Sequence, residues 1–477
     1  MRHEDPHRSL WLMCCLGFLL LLAGCRSAPH VEMLYDAPAL EIRQPHRLQS
    51  LPPAVAKAVE HRKPVPISLD TVLRLAQDQN GQVRLARMKL DDAAIENYWA
   101  SKHWMPDLSV GIGAWRHDGG IQDFNGQLIN SHYGSALAGV ELVGKYDWKE
   151  VLYRRVEAER RVWQQKGELS KLTSENLLEA STTYMGLLAA RSGVAVSIET
   201  EIRLRDLLEV AKKLAKIDEG LQVEVSRIET ELMAQTVLTV KMREMSKASA
   251  AKLAYLLGLD PCCEFVIADK QLAPITLTDA KAPVQYLVDQ ALAHGPGVRE
   301  LEGLLHTMEA ARNTNYGLTH WMPAFEIVVT EGGFGAGPGS TMDWTNRFDG
   351  GVKMKWNLNE WLYSKEKRRQ ADSNIQQVHL SFQDLRSKLT LGVQEARDAI
   401  QSGHEQVQLA QKHIQFAEES HKLSDQRFKQ NIKGRSPSEV LLALRSLGGA
   451  RLEYIQAVRD LNRAQLRLFV LVGAEEK

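Results

Sequence analysis

The tetrapeptide His103-Trp104-Met105-Pro106 returns letter for letter as His320-Trp321-Met322-Pro323, 217 residues further along the chain. Outward from it the match continues in order. Upstream, Ala93-Ala94 and Ala310-Ala311 stand at the same distance from the tetrapeptide, and Val83-Arg84 corresponds to Val298-Arg299 after a two-residue shift. Downstream, each copy passes through alternating, glycine-rich sequence into a long helical tract, closing on Leu257-Gly258 or Val472-Gly473. An ordered series of this kind is an internal duplication, and it governs the reading of everything else. The two copies occupy about 67–275 and 276–477.

Proline placement sets the scale of the helices. None stands between Trp148 and Asp260, and only Pro437 stands between Trp361 and the C-terminus. A proline inside a helix costs about 3 kcal/mol, so these tracts permit very long helices. One running from Trp148 to near Lys216 would be about 100 Å long at ~1.5 Å per residue. Gly220 and Gly434 interrupt the tracts at equivalent places, so about 148–258 and 360–473 each read as a helical hairpin. In the last tract Val440, Leu444, Leu447, Tyr454, Val458, Leu461 and Leu468 alternate steps of three and four. That is a coiled-coil-like seam whose partner must be another helix, interrupted by Arg451 and Gln465. Ile228, Leu232, Leu238, Met242, Met245, Leu253 and Leu256 make a looser version in the first copy.

Strand patterns precede each hairpin, in about 107–146 and 324–358. Leu108, Val110, Ile112 and Ala114 alternate with Ser109, Gly111, Gly113 and Trp115. Val352, Met354, Trp356 and Leu358 alternate with Lys353, Lys355, Asn357 and Asn359, and Ala136–Val143 and Phe325–Thr330 supply two further strands. The joining segments, 117–133 and 335–346, read as surface loops. Two-faced strands suit a transmembrane barrel, although a half-buried soluble sheet shows the same alternation. Four strands cannot close a barrel in lipid, where an open edge leaves hydrogen bonds unmade, so membrane strands would have to be pooled between subunits.

Composition removes other classes. The 477 residues carry 59 Lys plus Arg against 59 Asp plus Glu, a net charge of zero that disfavours nucleic-acid binding. A mean hydropathy of −0.28 excludes a polytopic helical membrane protein. His-Glu-x-x-His, P-loop, Gly-x-Ser-x-Gly and Cys-x-x-Cys motifs are missing, so no enzyme, metal site or cofactor is expected. His103 and His320, beside Trp104 and Trp321 at a helix-to-strand corner, suit a membrane-interface anchor, because Trp favours the headgroup level. Lys149, Arg154, Arg155, Arg160 and Arg161 make a basic start to a helix and read as a solvated or lumen face.

The apolar run Leu10–Leu22 behind Arg2 and Arg8 reads as an export signal over 1–24, too short to span a bilayer. It ends Leu22-Ala23-Gly24-Cys25, which looks like a lipobox, so Cys25 is the expected lipidation site and 25–66 a proline-punctuated tether. Acyl chains at ~0.8 kcal/mol per buried methylene make such an anchor permanent. Of the five cysteines only Cys262 and Cys263 then remain beyond the signal and the anchor, reading as two ordinary thiols.

Taken with these motifs, the sequence resembles the TolC family of outer-membrane factors, over about 67–477. The resemblance rests on the duplicated helix–strand–strand–hairpin unit and on the hairpin pattern of Gly, short link, acidic-Val and closing Gly. Gly220-Leu221-Gln222-Val223-Glu224-Val225 leads to Gly258, Gly434-Arg435-Ser436-Pro437-Ser438-Glu439-Val440 leads to Gly473, and both Glu-to-Gly spacings are 34 residues. Glu stands where the family usually has Asp, and its Pro-Leu-Phe turn is replaced by Gly144-Lys145-Tyr146-Asp147-Trp148 and Asn357-Leu358-Asn359-Glu360-Trp361. The resemblance implies a mainly α fold: a homotrimer with a periplasmic helical tunnel below a twelve-stranded membrane barrel, four strands per subunit. It implies an outer-membrane exit duct for small toxic compounds or metal ions, working with a periplasmic adaptor (membrane fusion protein) and an inner-membrane transporter of the RND or ABC type. Protein secretion through the same duct is the alternative, and a non-pore periplasmic adaptor lipoprotein the more distant one. Gly220, Leu221, Gly434 and Arg435 would form the adaptor-docking tip. Glu224 and Glu439 would form a gating ring of carboxylates near Lys216, Lys433 and Arg435.

Overall fold

The computed structural model describes residues 65–217, 221–269, 272–315, 322–338, 341–356, 358–430 and 436–473. The expected signal, lipid-bearing Cys25 and tether up to residue 64 lie outside them. Of the two units into which the chain divides, 1–62 and 63–477, the second carries the architecture. Its elements are β1 (Val65–Ile67), α1 (Leu69–Asp78), α2 (Gly81–Lys102), β2 (Asp107–Gln122), β3 (Leu128–Tyr146), α3 (Trp148–Ala215) and α4 (Gln222–Leu256). There follow β4 (Phe265–Ile267), α5 (Val284–His294), α6 (Val298–Asn315), β5 (Ala324–Pro338), β6 (Asp343–Lys355), α7 (Leu358–Leu362), α8 (Ser364–Lys429) and α9 (Pro437–Val472).

The same unit occurs twice: two helices, two long strands, one very long helix, one helix of about half that length. Closing glycines give the equivalence a physical signature. Gly258 has φ 67° and Gly473 φ 83°, a region that side chains with a Cβ rarely enter. A Cβ would lie 2.2 Å from the Gln79 carbonyl oxygen at Gly258 and 2.6 Å from that of His294 at Gly473. Gln79 caps α1 and His294 ends α5, so each hairpin returns to the end of its own first helix.

Local chemistry starts the long helices where they start. Asp147 accepts from the backbone N–H of Lys149 and Glu150 at 3.1 and 3.2 Å, capping α3 without the missing turn motif. The helix then runs 68 residues, about 100 Å at ~1.5 Å per residue. Asn80 caps α2, and its amide donates to Asn176 of α3 at 2.8 Å and to the Leu256 carbonyl at 3.0 Å. Asn176 in turn donates to the Ala76 carbonyl, so one buried amide pair ties α1, α2, α3 and α4 together.

The core is a string of clusters along the helices. One joins α1, α3, the end of α4 and the parallel β1–β4 pair; a second joins α5, α8 and α9; a third joins the far ends of both hairpins. Of the seam read from the last tract, Val440, Leu444, Leu447, Val458, Leu461 and Leu468 are buried. Met245, assigned to the looser seam of the first copy, is instead exposed. Its neighbours Leu238 and Met242 are only half-buried, and α4 as a whole packs mainly on α3.

Both polar interruptions of the seam have partners. Gln465 accepts from the N–H groups of Leu277 and Thr278 at 3.2 Å each, and Asn462 accepts from Ile275 N–H at 2.9 Å. They hold the segment that joins the two repeats. Arg451 donates to Glu199 of α3 and Glu418 of α8, each at 2.9 Å, tying three helices.

The four long strands form one antiparallel sheet in the order β2-β3-β5-β6. The strands are longer than the alternation predicts, and most of 117–133 and 335–346 is strand rather than loop. Only 123–127 connects β2 to β3. Cross-strand contacts hold the polar outer rungs: Asp118, bound by Arg116 at 2.7 Å, faces His132 at 3.1 Å. The fourth strand runs 343–355, so Trp356 and Leu358 fall beyond it.

The Arg451 network predicts an acid-sensitive stability. Partial burial raises the Glu199 carboxyl, but the hydrogen bond and charge of Arg451, with Arg203, outweigh it and hold the group below its ordinary 4.5. Burial first, then Arg203, pushes the nearby His421 below its ordinary 6.5, against the opposing pull of Asp425. Both groups bind protons more readily in the unfolded chain, so stability is lost on acidification: the His421 share from about pH 6.5 downward, the Glu199 share below 4.5. Arg451→Met should lower stability at pH 7.5 by roughly 0.5–2 kcal/mol, since partly exposed pairs contribute up to about 1 kcal/mol each. Thermal unfolding at pH 7.5, 5.5 and 4 should show this gap narrowing in acid; a constant gap would assign the effect to packing.

Candidate functional site

Directly opposed residues of antiparallel strands share a face, so the register sorts the sheet into two surfaces. One carries Leu108, Val110, Ile112 and Ala114 of β2, and Leu142, Val140, Ala138 and Ala136 of β3. It continues through Phe325, Ile327 and Val329 of β5 to Met354, Val352, Phe348 and Trp344 of β6. The other carries Ser109, Glu141, Lys145, Glu326, Thr330, Arg347, Asp349, Lys353 and Lys355. There Lys353 lies 3.9 Å from Glu326, and Arg347 bonds Asp349 at 2.7 Å while its guanidinium sits 4.8 Å over the Phe334 ring.

The apolar surface is bare. Val110, Ile112 and Val352 are 79%, 87% and 74% exposed, and among the described residues no helix packs across either face. A water-soluble sheet buries its apolar face against something. The apolar stretch is also staggered. Its first polar residue is Arg116 on β2, His132 on β3, Glu331 on β5 and Asn346 on β6, and by register the last two sit nearer the helical end. Among the described residues, the sheet's outer strands, β2 of 16 residues and β6 of 13, each have one edge without a partner strand.

At the foot of the sheet, His103 caps α2 and Trp104 stands exposed in the turn to β2. Its counterpart Trp321 lies outside the described residues. Exposed aromatic side chains gather within a few residues of the strand ends: Trp99, Trp104, Trp148, Tyr153 and Trp356. Trp99 and Tyr153 were not legible as site residues, although their helical spacing from the strand ends was available. The basic start of α3 is laced by carboxylates, Arg154 to Glu150 at 2.5 Å and Arg161 to Glu96 at 2.6 Å.

At the opposite end, α3 finishes at Ala215, and α4 begins at Gln222 behind Leu221. Gly220, Gly434 and Arg435 lie outside the described residues. Glu224 accepts from Ser438 of α9 through a short hydrogen bond and pairs with Arg227 at 3.1 Å. Glu439 pairs with Arg427 of α8 at 2.8 Å. Lys216 is not among the partners, and both carboxylates are engaged inside the subunit. Arg227 and Arg427 were the missed residues; Arg227 stands one helical turn from Glu224, which is the signal that could have found it. Around these pairs Leu204, Val225, Ile228, Phe428, Val440 and Leu444 bury the two hairpin ends against each other.

Cys262 is exposed and Cys263 partly buried, both as free thiols. Among the described residues there is no group of three or more side chains able to hold a metal ion, and no helix long and apolar enough to cross a membrane.

No protein-family model and no curated protein sequence matches the chain. Solved structures do. The Campylobacter jejuni CmeC outer membrane channel is similar at TM-score 0.70 with 14% identity, over 85% of each chain. VceC, an outer membrane protein of Vibrio cholerae, is similar at 0.65 with 13% identity, over 85% of this chain and 96% of that one. The open Neisseria gonorrhoeae MtrE outer membrane channel is similar at 0.62 with 15% identity, over 85% and 89%. With its duplicated hairpins and its four-stranded sheet, the chain has the fold of the TolC-family outer-membrane channels.

Proposed function

We propose that the chain is one subunit of a trimeric outer-membrane exit duct, passively conducting small toxic compounds or metal ions outward from an inner-membrane pump. The observation that carries this reading is the bare sheet: apolar on one face, charged on the other, with both edges open. In lipid the apolar face needs no cover, the charged face lines a water-filled lumen, and the edges must pair with another strand. Three copies of a four-stranded sheet give twelve strands, within the even-numbered range of known barrels, which starts at about eight. The long helices then continue the duct into the periplasm, where an adaptor and a transporter of the RND or ABC type would meet the hairpin ends. The purified protein should form discrete channels in planar bilayers, and its mass in detergent should correspond to three subunits; a stable monomer or a non-conducting dimer would refute the duct.

Cys25 is assigned as the lipid anchor on its lipobox alone. Cys25→Ser should abolish incorporation of labelled palmitate, and unchanged incorporation would remove the assignment.

The tip assignment rests on the sequence positions of Gly220-Leu221, between α3 and α4, and of Gly434-Arg435, between α8 and α9. The Gly220→Trp, Gly434→Trp double variant should keep folding and trimer yield while export falls to background. Full export by that variant would place adaptor docking elsewhere.

A further inference from the structure

In the hairpins the helices lie in a row, α4 on α3, α3 on α9 and α9 on α8. α4 and α8 are its outer members, and among the described residues they do not pack on each other. Each carries a stripe on the side turned away from the row. On α4, Ser226, Thr230, Met233, Val237, Val240 and Glu244 are exposed at alternating steps of four and three. Its buried residues Val225, Ile228 and Leu232 lie on the opposite side of the helix, in the cluster shared with α3. On α8, Leu409, Phe416 and Leu423 recur every seven residues, each more than half exposed. Exposed apolar side chains at such spacing are a coiled-coil seam without its partner.

Polar contacts inside the subunit set the heights of the two stripes. Ser438 bonds Glu224 and Arg445 lies 3.7 Å from Glu231, both pairs 214 residues apart, so α9 and α4 run parallel in one register. Arg427 donates to Glu439 at 2.8 Å and His413 lies 3.0 Å from Glu453, both pairs centred on residue 433, so α8 runs antiparallel to α9. Carried through α9, these registers put Leu409, Phe416 and Leu423 each within one residue of the height of Glu244, Val237 and Thr230. They put Lys247 at the height of Glu405. Both side chains are exposed, and among the described residues neither has an ion-pair partner in its own subunit.

A stripe on one flank that matches, height for height, a stripe on the other flank of the same chain fits a second copy, because rotation about an axis along the helices preserves height. The flanks also continue the open edges of the sheet. β6 runs through α7 into α8, and α2, which like α4 packs on α3 and exposes Leu85, Met88 and Ile95, runs into β2. We propose that α4 of one copy seats α8 of the next, antiparallel and head to tail around the ring, with Leu409, Phe416 and Leu423 packed into the α4 stripe and Lys247 paired with Glu405. The seam rests on the trimer proposed above for the number of copies; its position comes from the helices and not from the sheet.

The full chain, with Cys262 and Cys263 replaced by Ser, is purified in detergent, treated with a short bis-maleimide and resolved on a denaturing gel. Lys247→Cys combined with Glu405→Cys should link copies into dimers and closed trimers. Either single variant should stay monomeric, because a head-to-tail seam never brings like positions together. Lys247→Cys combined with Phe416→Cys, about 16 Å out of height at ~1.5 Å per residue, should also stay monomeric. Lys247→Glu should lower the trimer-to-monomer ratio about tenfold, as three like-charged contacts replace three pairs, and adding Glu405→Lys should restore it. The altered side chains are on the surface, and an unchanged circular-dichroism melt verifies the fold. A parent that is trimeric by mass while its Lys247→Cys, Glu405→Cys variant stays monomeric, or links within one chain, overturns the seam alone. Equal linking through Phe416→Cys overturns its register. A parent that is itself monomeric overturns the trimer, and the seam with it.

Discussion

A β-strand can satisfy only half of its backbone hydrogen bonds from one neighbour, and this constraint orders the whole molecule. An α-helix closes its hydrogen bonds within itself, so α3 can extend 68 residues with little more than side-chain contacts to steady it. The sheet has no such independence. β3 and β5 are paired on both sides, whereas β2 and β6 each present an unmet edge. An exposed strand edge of 13 to 16 residues is an aggregation hazard in water and a forbidden object in lipid. The open edges of the described sheet are the constraint behind the closed ring proposed above.

Duplication explains how one chain supplies both a wall of strands and a wall of helices. Each repeat contributes one strand pair and one hairpin, and each hairpin returns to a glycine lodged against the end of its own first helix. Gly258 and Gly473 are equivalent in φ and in the carbonyl they approach. The repeats have diverged elsewhere. The Asn80–Asn176 amide pair locks the first corner, while Asn462 and Gln465 take hold of the linker that begins the second repeat. Buried amides of this kind are satisfied by backbone groups that no regular element uses, whether they sit at a corner, as Asn80 does, or within the α9 seam, as Asn462 and Gln465 do.

The helical seam shows the same economy of exceptions. Its apolar members at Val440, Leu444, Leu447, Val458, Leu461 and Leu468 supply the burial. Arg451 supplies specificity, because its guanidinium reaches carboxylates on two different helices and fits only one registration of the three. At the hairpin ends Glu224 and Glu439 are drawn into comparable bonds with Ser438, Arg227 and Arg427. The two hairpins of a subunit are thus joined by polar contacts at their ends and in the middle, over an apolar string between.

What the sequence determined by itself is whatever depends on short-range order. The repeated His-Trp-Met-Pro corner, the proline-free tracts, the three-four spacing of the seam and the alternation around Leu108–Ala114 are local, and they specify the duplication, the long helices and the centres of the strands. What only the tertiary structure decided is whatever depends on a partner distant in sequence. Residues 117–133 look like a loop because glycine and charged residues disfavour isolated strands, yet they extend the sheet once Asp118 faces His132 across the hairpin. Glu224 has its partner in Ser438, 214 residues away, and Lys247 stands level with Glu405 only because α9 holds α4 and α8 in register. Hydrogen bonds and charge pairs act over a few ångströms in space, and only the folded chain brings those ångströms together.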